Sequence, residues 1–216
     1  MRAEVINIHR DTPATGAAPH ASTSGLTGVI LAGGVSPRFA SGTDKGLIPV
    51  RGRALVKRVL EQIASQVTQI LIVTNRNQAL YSSYGYRVIS DALPEHQGPL
   101  SGMAAGLAAI ETSHALFVPA DAARLPRDLA RSLWHIHTER NVPCLVHAAD
   151  RSIPTCCLVP RTELAALEAA LHTGKRDPLA WLHGRDAVEV DFRDWPSRFW
   201  TLHAPEDIEP LEAALG

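Results

Sequence analysis

Short, unbroken apolar runs recur along the chain, each closed by small, polar or glycine residues: Val29-Ile30-Leu31, Ile70-Leu71-Ile72-Val73 and Ala115-Leu116-Phe117-Val118. A strand with one face in water alternates apolar and polar residues, whereas a strand covered on both faces is apolar throughout. Between these runs lie stretches with helical spacing. Residues 54–66 place Leu55, Val59, Ile63 and Ala64 on one face, and residues 101–110 carry Ala and Leu at the same period. Further helices are expected over 127–137 (after Pro126), 162–171 and 178–183. A last helix is expected from near Pro205, with Ile208, Leu211, Ala214 and Leu215. Further strands are expected at 87–89, 142–147, 155–159 and 187–190. Strand and helix signals alternating through short links imply an α/β fold: a three-layer Rossmann-like sandwich with a mostly parallel sheet.

Composition narrows what such a sheet can do. The 216 residues hold 21 Lys+Arg against 22 Asp+Glu, with no basic tail and no acidic run. That balance gives no field that would attract nucleic acid or a membrane surface, and neither is expected as a partner. No apolar run approaches the roughly 20 residues that span a bilayer. Glu4, Arg10 and Asp11 interrupt the first segment, so it does not read as a signal peptide, and a cytoplasmic protein is expected. Residues 1–27, rich in small and turn-prone types, read as a flexible tail, and 28–216 as one domain. Cys144, Cys156 and Cys157 match neither a disulfide framework nor zinc spacing; Cys156-Cys157 reads as two small apolar residues of a buried strand rather than a redox pair. His135 and His137 lie two apart, the wrong spacing for one helical face, so the histidines read as surface or capping residues rather than metal ligands. Trp195, Phe199 and Trp200 are expected to pack on the last helix.

In open α/β sheets ligands lie outside the carboxyl ends of the strands. The residues there are Ala32-Gly33-Gly34, Thr74-Asn75-Arg76, Ser90-Asp91 and Pro119-Ala120-Asp121. The segment from Leu31 to Lys45 carries the most chemistry. Gly33 and Gly34 let backbone N–H groups approach a ligand, and Arg38 and Lys45 offer a guanidinium fork and a point charge for phosphate oxygens. Neither the Walker A loop nor the dinucleotide fingerprint is present, so the phosphates would be held in another way.

Leu31-Ala32-Gly33-Gly34, then Arg38, then Asp44-Lys45-Gly46-Leu47, resembles the nucleotidyltransferase signature of the molybdenum cofactor guanylyltransferases, the MobA family. The likeness continues in order through Thr74-Asn75-Arg76, Val88-Ile89-Ser90-Asp91, Gly98-Pro99-Leu100-Ser101-Gly102-Met103, Val118-Pro119-Ala120-Asp121, Pro154-Thr155 and Ala204-Pro205-Glu206-Asp207. It spans roughly residues 27–215. The resemblance implies a nucleotide-diphospho-sugar transferase-like fold and transfer of GMP from GTP to the molybdopterin cofactor, with Mg²⁺ and release of pyrophosphate. It also implies transient contact with cofactor-biosynthesis proteins or target molybdoenzymes. On this reading Leu31, Ala32, Gly33 and Gly34 line the nucleotide pocket, Lys45 and Arg38 neutralise phosphate charge, and Asn75 and Asp91 contact the base. Gly98 and Gly102 admit base or ribose, and Asp121 contacts nucleotide and holds the metal. An alternative role for Asp121 is a helix N-cap ahead of Pro126.

The chain departs from the family pattern at several points. Phe39 replaces a Met, and the stretch before Asp44 is longer. Ala120 and Ala122-Ala123 flank the carboxylate, Ile153 stands before Pro154-Thr155 where a His is common, and Thr201 and His203 occupy two asparagine positions. The nucleotide half is kept better than the acceptor half. Two other readings therefore stand beside GMP transfer: cytidylyl transfer to the same pterin, and a non-catalytic accessory protein that binds nucleotide or cofactor.

Overall fold

The computed structural model describes residues 4–7, 25–35, 38–39, 42–91, 98–148, 150–192, 200–202 and 204–215. Its centre is an eight-stranded sheet. The strands are β1 (Val5–Asn7), β2 (Leu26–Leu31), β5 (Gln69–Val73), β6 (Arg87–Ile89), β7 (His114–Pro119), β9 (Cys144–Ala148), β10 (Arg151–Pro160) and β11 (Val188–Asp191). Their spatial order is β1-β11-β9-β10-β7-β2-β5-β6, parallel throughout except β10, which runs antiparallel to both neighbours. Two small ribbons complete the β structure: β3 (Pro49–Val50) with β4 (Arg53–Ala54), and β8 (Ala122–Arg124) with β12 (Trp200–Thr201).

The apolar runs explain the layers. Successive strand residues point to opposite faces, so Ile30, Ile72 and Leu116 face one core while Val29, Leu71 and Phe117 face the other. On the first face pack α1 (Leu55–Ile63), α2 (Gln78–Ser82) and α4 (Leu129–Arg140); on the second pack α3 (Pro99–Ala109), α5 (Leu164–His172) and α6 (Pro178–His183). α1 has no side-chain N-cap; it is held by burying Leu55, Val56, Val59, Leu60 and Ile63, each worth about 1.5–3 kcal/mol. The last helix, α7 (Ile208–Ala214), covers a small third core of Ile48, Val50, Leu55, Ala123, Leu202 and Leu211. Cys156 and Cys157 are fully buried, one in each main core, and burial pushes both thiols up from their ordinary value. They are core residues of β10. No described helix is long and apolar enough to cross a membrane.

Several elements differ from the sequence reading. Val5–Asn7, placed in the expected tail, pairs with β11 at the sheet edge; residues 8–24 lie outside the described residues. β10 begins at Arg151 rather than 155, running through Pro154 by a register shift between Ile153 and Cys157 where the missing proline N–H breaks the ladder. α4 begins two residues later than expected, behind Asp128. The expected packing of Trp195, Phe199 and Trp200 falls outside the described residues and side chains.

Candidate functional site

A cavity of about 570 Å³ opens at the carboxyl ends of β2, β5, β6 and β7, bounded on its far side by the start of β10. Leu31, Ala32, Gly33, Gly34, Lys45, Asn75, Asp91, Gly98, Gly102 and Asp121 all line it. Arg38, exposed on the turn before Lys45, is not among the lining residues.

The floor is built from backbone. Ala32 N donates to Val73 O and Ala120 N to Leu31 O, both at 2.9 Å, so the three strand ends are locked together where the glycine turn begins. Gly33 has φ +77°, and a Cβ there would lie 2.5 Å from Thr74 Oγ1; both conformation and space require glycine. The turn returns through Lys45 N, which donates to Gly34 O at 3.0 Å.

Lys45 is aimed by its neighbour. Asp44 is 5 % exposed, and its carboxylate caps the 3₁₀ turn Lys45–Leu47: Oδ1 accepts from Gly46 N (3.1 Å) and Tyr81 Oη (2.8 Å), and Oδ2 from Asn77 Nδ2 (3.1 Å). Tyr81 is fully buried, and burial and then the Asp44 charge raise its phenol well above its ordinary value, keeping it a donor. With the turn fixed, Lys45 Nζ donates to Asp121 Oδ2 at 2.6 Å and to Leu202 O at 3.1 Å. The side chains are only 17 % and 13 % exposed. Asp121 therefore faces the cavity and is not the cap of α4, whose N-cap is Asp128. Its Oδ1 has no hydrogen-bond partner among the described residues.

Opposite this pair, Asn75 and Asp91 hold each other: Asn75 Nδ2 donates to Asp91 Oδ1 and Asp91 N to Asn75 Oδ1 at 2.9 Å. Gly98 caps α3 ahead of Pro99, and Gly102 lies one turn further, where a Cβ would come within 3.2 Å of Leu31 Cδ2. The cavity thus combines glycine N–H groups, a lysine, a carboxylate at a strand end and an amide–carboxylate pair. Such a set suits a polyanionic nucleotide and a hard cation.

Arg151 and Ser152 also line the cavity and were not singled out by sequence, while Thr201 stood out there only as a departure from the family pattern. Arg151, Ser152 and Thr201 form part of the far wall, and Arg151 Nη2 donates to Thr201 Oγ1 at 3.0 Å. An arginine just before the Ser-Ile-Pro-Thr segment was the available signal. No group of three or more His, Cys, Asp or Glu among the described residues could hold a metal.

Fold and cavity together define an α/β protein of the nucleotidyltransferase class. The chain belongs to the MobA-like NTP transferase family, whose model matches residues 28–188. It is 34 % identical over 191 residues to a molybdenum cofactor guanylyltransferase of Shewanella piezotolerans, covering 88 % of this chain and 93 % of that protein. It is 38 % identical over 179 residues to one of Cupriavidus metallidurans, covering 80 % and 88 %. Among solved structures, molybdopterin-guanine dinucleotide biosynthesis protein A of Archaeoglobus fulgidus superposes with a TM-score of 0.71 at 22 % identity, covering 88 % of this chain and 98 % of that one. At that identity the likeness speaks to fold.

Proposed function

We infer that the protein is a molybdenum cofactor guanylyltransferase: it transfers GMP from GTP to the molybdopterin cofactor and releases pyrophosphate. The observation that carries this reading is the meeting of Lys45 Nζ and Asp121 Oδ2, 2.6 Å apart, in the cavity that the glycine turn lines. The named relatives support the choice of nucleotide and acceptor.

Asp121 divides the cavity. The strand order β10-β7-β2-β5-β6 puts Asn75 and Asp91 on one side of the end of β7 and the Arg151–Thr155 wall on the other. GTP then lies over β2, β5 and β6. The Asp91 carboxylate suits the N1–H and N2–H₂ edge of guanine, and the Gly33–Gly34 backbone and Lys45 face the phosphates. The acceptor enters from the β10 side. Its phosphate oxygen forms a bond to the α-phosphorus as the bond to the bridging oxygen of pyrophosphate breaks. No protein nucleophile is needed. Holding the two anions in line supplies much of the acceleration, and Lys45 offsets negative charge on the phosphoryl oxygens and the leaving group.

The donor set fits Mg²⁺. Asp121 Oδ1 has no partner among the described residues, and one carboxylate completed by phosphate oxygens and water is a common arrangement for this ion. Bound there, the ion would lower the electrostatic barrier between acceptor and nucleotide phosphates. The test is pyrophosphate release from purified protein with GTP or CTP, with and without molybdopterin and Mg²⁺. Release that requires GTP, molybdopterin and Mg²⁺ together is expected. Faster release with CTP would overturn the guanine assignment, and tight nucleotide binding without turnover would overturn the enzymatic one.

A further inference from the structure

Beside the cavity lies a buried polar hub that the chemistry above does not use. Glu189, on β11, is 4 % exposed. His147 Nδ1 lies 2.7 Å from its Oε2, His183 Nε2 lies 2.9 Å from its Oε1, and Ser152 Oγ donates to both oxygens at 2.9 Å. The sheet order is β11-β9-β10, so the carboxylate reaches past β9, which carries His147, to a serine two strands away. Burial alone would raise its pKa; the hydrogen bonds from His147, His183 and Ser152 outweigh this and hold it below the ordinary 4.5.

Ser152 is the link to the site, because it lines the cavity together with Arg151, Ile153, Pro154 and Thr155. This wall has little ladder support. β10 pairs with β9 from Arg151 to Ile153, and the register then shifts before Cys157, leaving Pro154 and Thr155 across the break. Buried ionic groups bring little net stability compared with apolar packing, and their best-attested use is to fix one arrangement. Here the arrangement fixed is that of a cavity wall.

We propose that Glu189 is a positioning residue for the acceptor: through Ser152 it sets the Arg151–Thr155 wall against which the acceptor is held. The proposal rests on reading the β10 side of the cavity as the acceptor side. In Glu189→Gln the acceptor KM should rise about tenfold, the size of losing a charge-assisted hydrogen bond. The GTP KM and the turnover at saturating acceptor should stay within about twofold. Ser152→Ala should raise the acceptor KM similarly, and the double variant should be no worse than Glu189→Gln, since both cut the same link. Equal rises in both KM values, an unchanged acceptor KM, or multiplying effects in the double variant would overturn it. Backbone amide exchange provides an arm independent of turnover. Faster exchange at Arg151, Ser152, Ile153 and Thr155 in Glu189→Gln, with β2 and β7 unchanged, supports the link; unchanged exchange at the wall overturns it. Absent turnover by the wild-type protein with GTP and molybdopterin would instead fault the proposed function, leaving the exchange result to decide the link.

Discussion

Replacing Asp44 tests how the cavity lysine is held. Two buried donors, Gly46 N and Tyr81 Oη, converge on one oxygen, Oδ1, while the other oxygen takes Asn77 Nδ2 from an exposed side chain. Asp44→Ala leaves both buried donors without their acceptor, at about 1–3 kcal/mol each, and Asn77 can turn to water. The expected loss is about 2–6 kcal/mol, a large share of the about 5–15 kcal/mol that holds a typical domain. Asp44→Asn keeps a carbonyl oxygen where Oδ1 stands, so both buried bonds survive and the loss should be about 1 kcal/mol. Urea unfolding followed by circular dichroism measures both values. GTP turnover should follow the same order, because the capped turn aims Lys45. Equal losses for Ala and Asn, or an Ala variant within about 0.5 kcal/mol of wild type, would refute the reasoning.

Asp121→Ala should abolish pyrophosphate release while the far-ultraviolet spectrum stays native; near-normal rates would overturn its proposed role as a metal ligand. Lys45→Met should lower kcat by about 10²–10³-fold, the usual loss on removing one group that stabilises transition-state charge, which steady-state kinetics would show. Gly46→Ala would place a Cβ 2.5 Å from Tyr81 Oη and 2.8 Å from Ala120 Cβ. Overpacking of that kind costs about 1–3 kcal/mol, and the urea midpoint should fall accordingly. His114 faces Trp134 and lies 2.9 Å from His137, Nε2 to Nε2; burial, then His137, lowers its pKa from 6.5 to about 4. The unfolded chain therefore takes up a proton below pH 6.5 that the folded protein refuses until about pH 4. Stability should fall as pH drops through that window, and His114→Gln should flatten the slope of urea midpoint against pH.

What could be read from sequence divides by the distance over which the cause acts. The strands 29–31, 70–73 and 115–118 were visible because burial on both faces leaves an unbroken apolar run. Gly33 and Asp121 were visible because a strand end limits where a ligand can sit, and Lys45 because it follows the glycine turn with a charge suited to phosphate; all three line the cavity. β1 was missed because three residues carry little pattern and its partner lies far along the chain. Arg151 and Ser152 were missed because a proline and a register shift hide the start of β10, whereas Ile153, Pro154 and Thr155 beside them stood out through the family resemblance. The Glu189 hub joins positions 147, 152, 183 and 189 across three strands and a helix, and no local rule connects them. Asp44 stood in the signature, yet its role as the anchor of Lys45 emerges only once Tyr81 and Asn77 are folded against it.

The edge strand has a consequence for handling the protein. β11 carries Glu189, and β1 covers its outer side: Glu189 N donates to Glu4 O at 3.0 Å, and Val5 stands opposite Glu189. Without that cover, the backbone of β11 would offer its unpaired donors and acceptors to any passing chain. The first few residues are thus a seal on the strand that bears the hub. Trimming them to shorten an apparent tail should promote self-association and loosen the wall of the cavity two strands away.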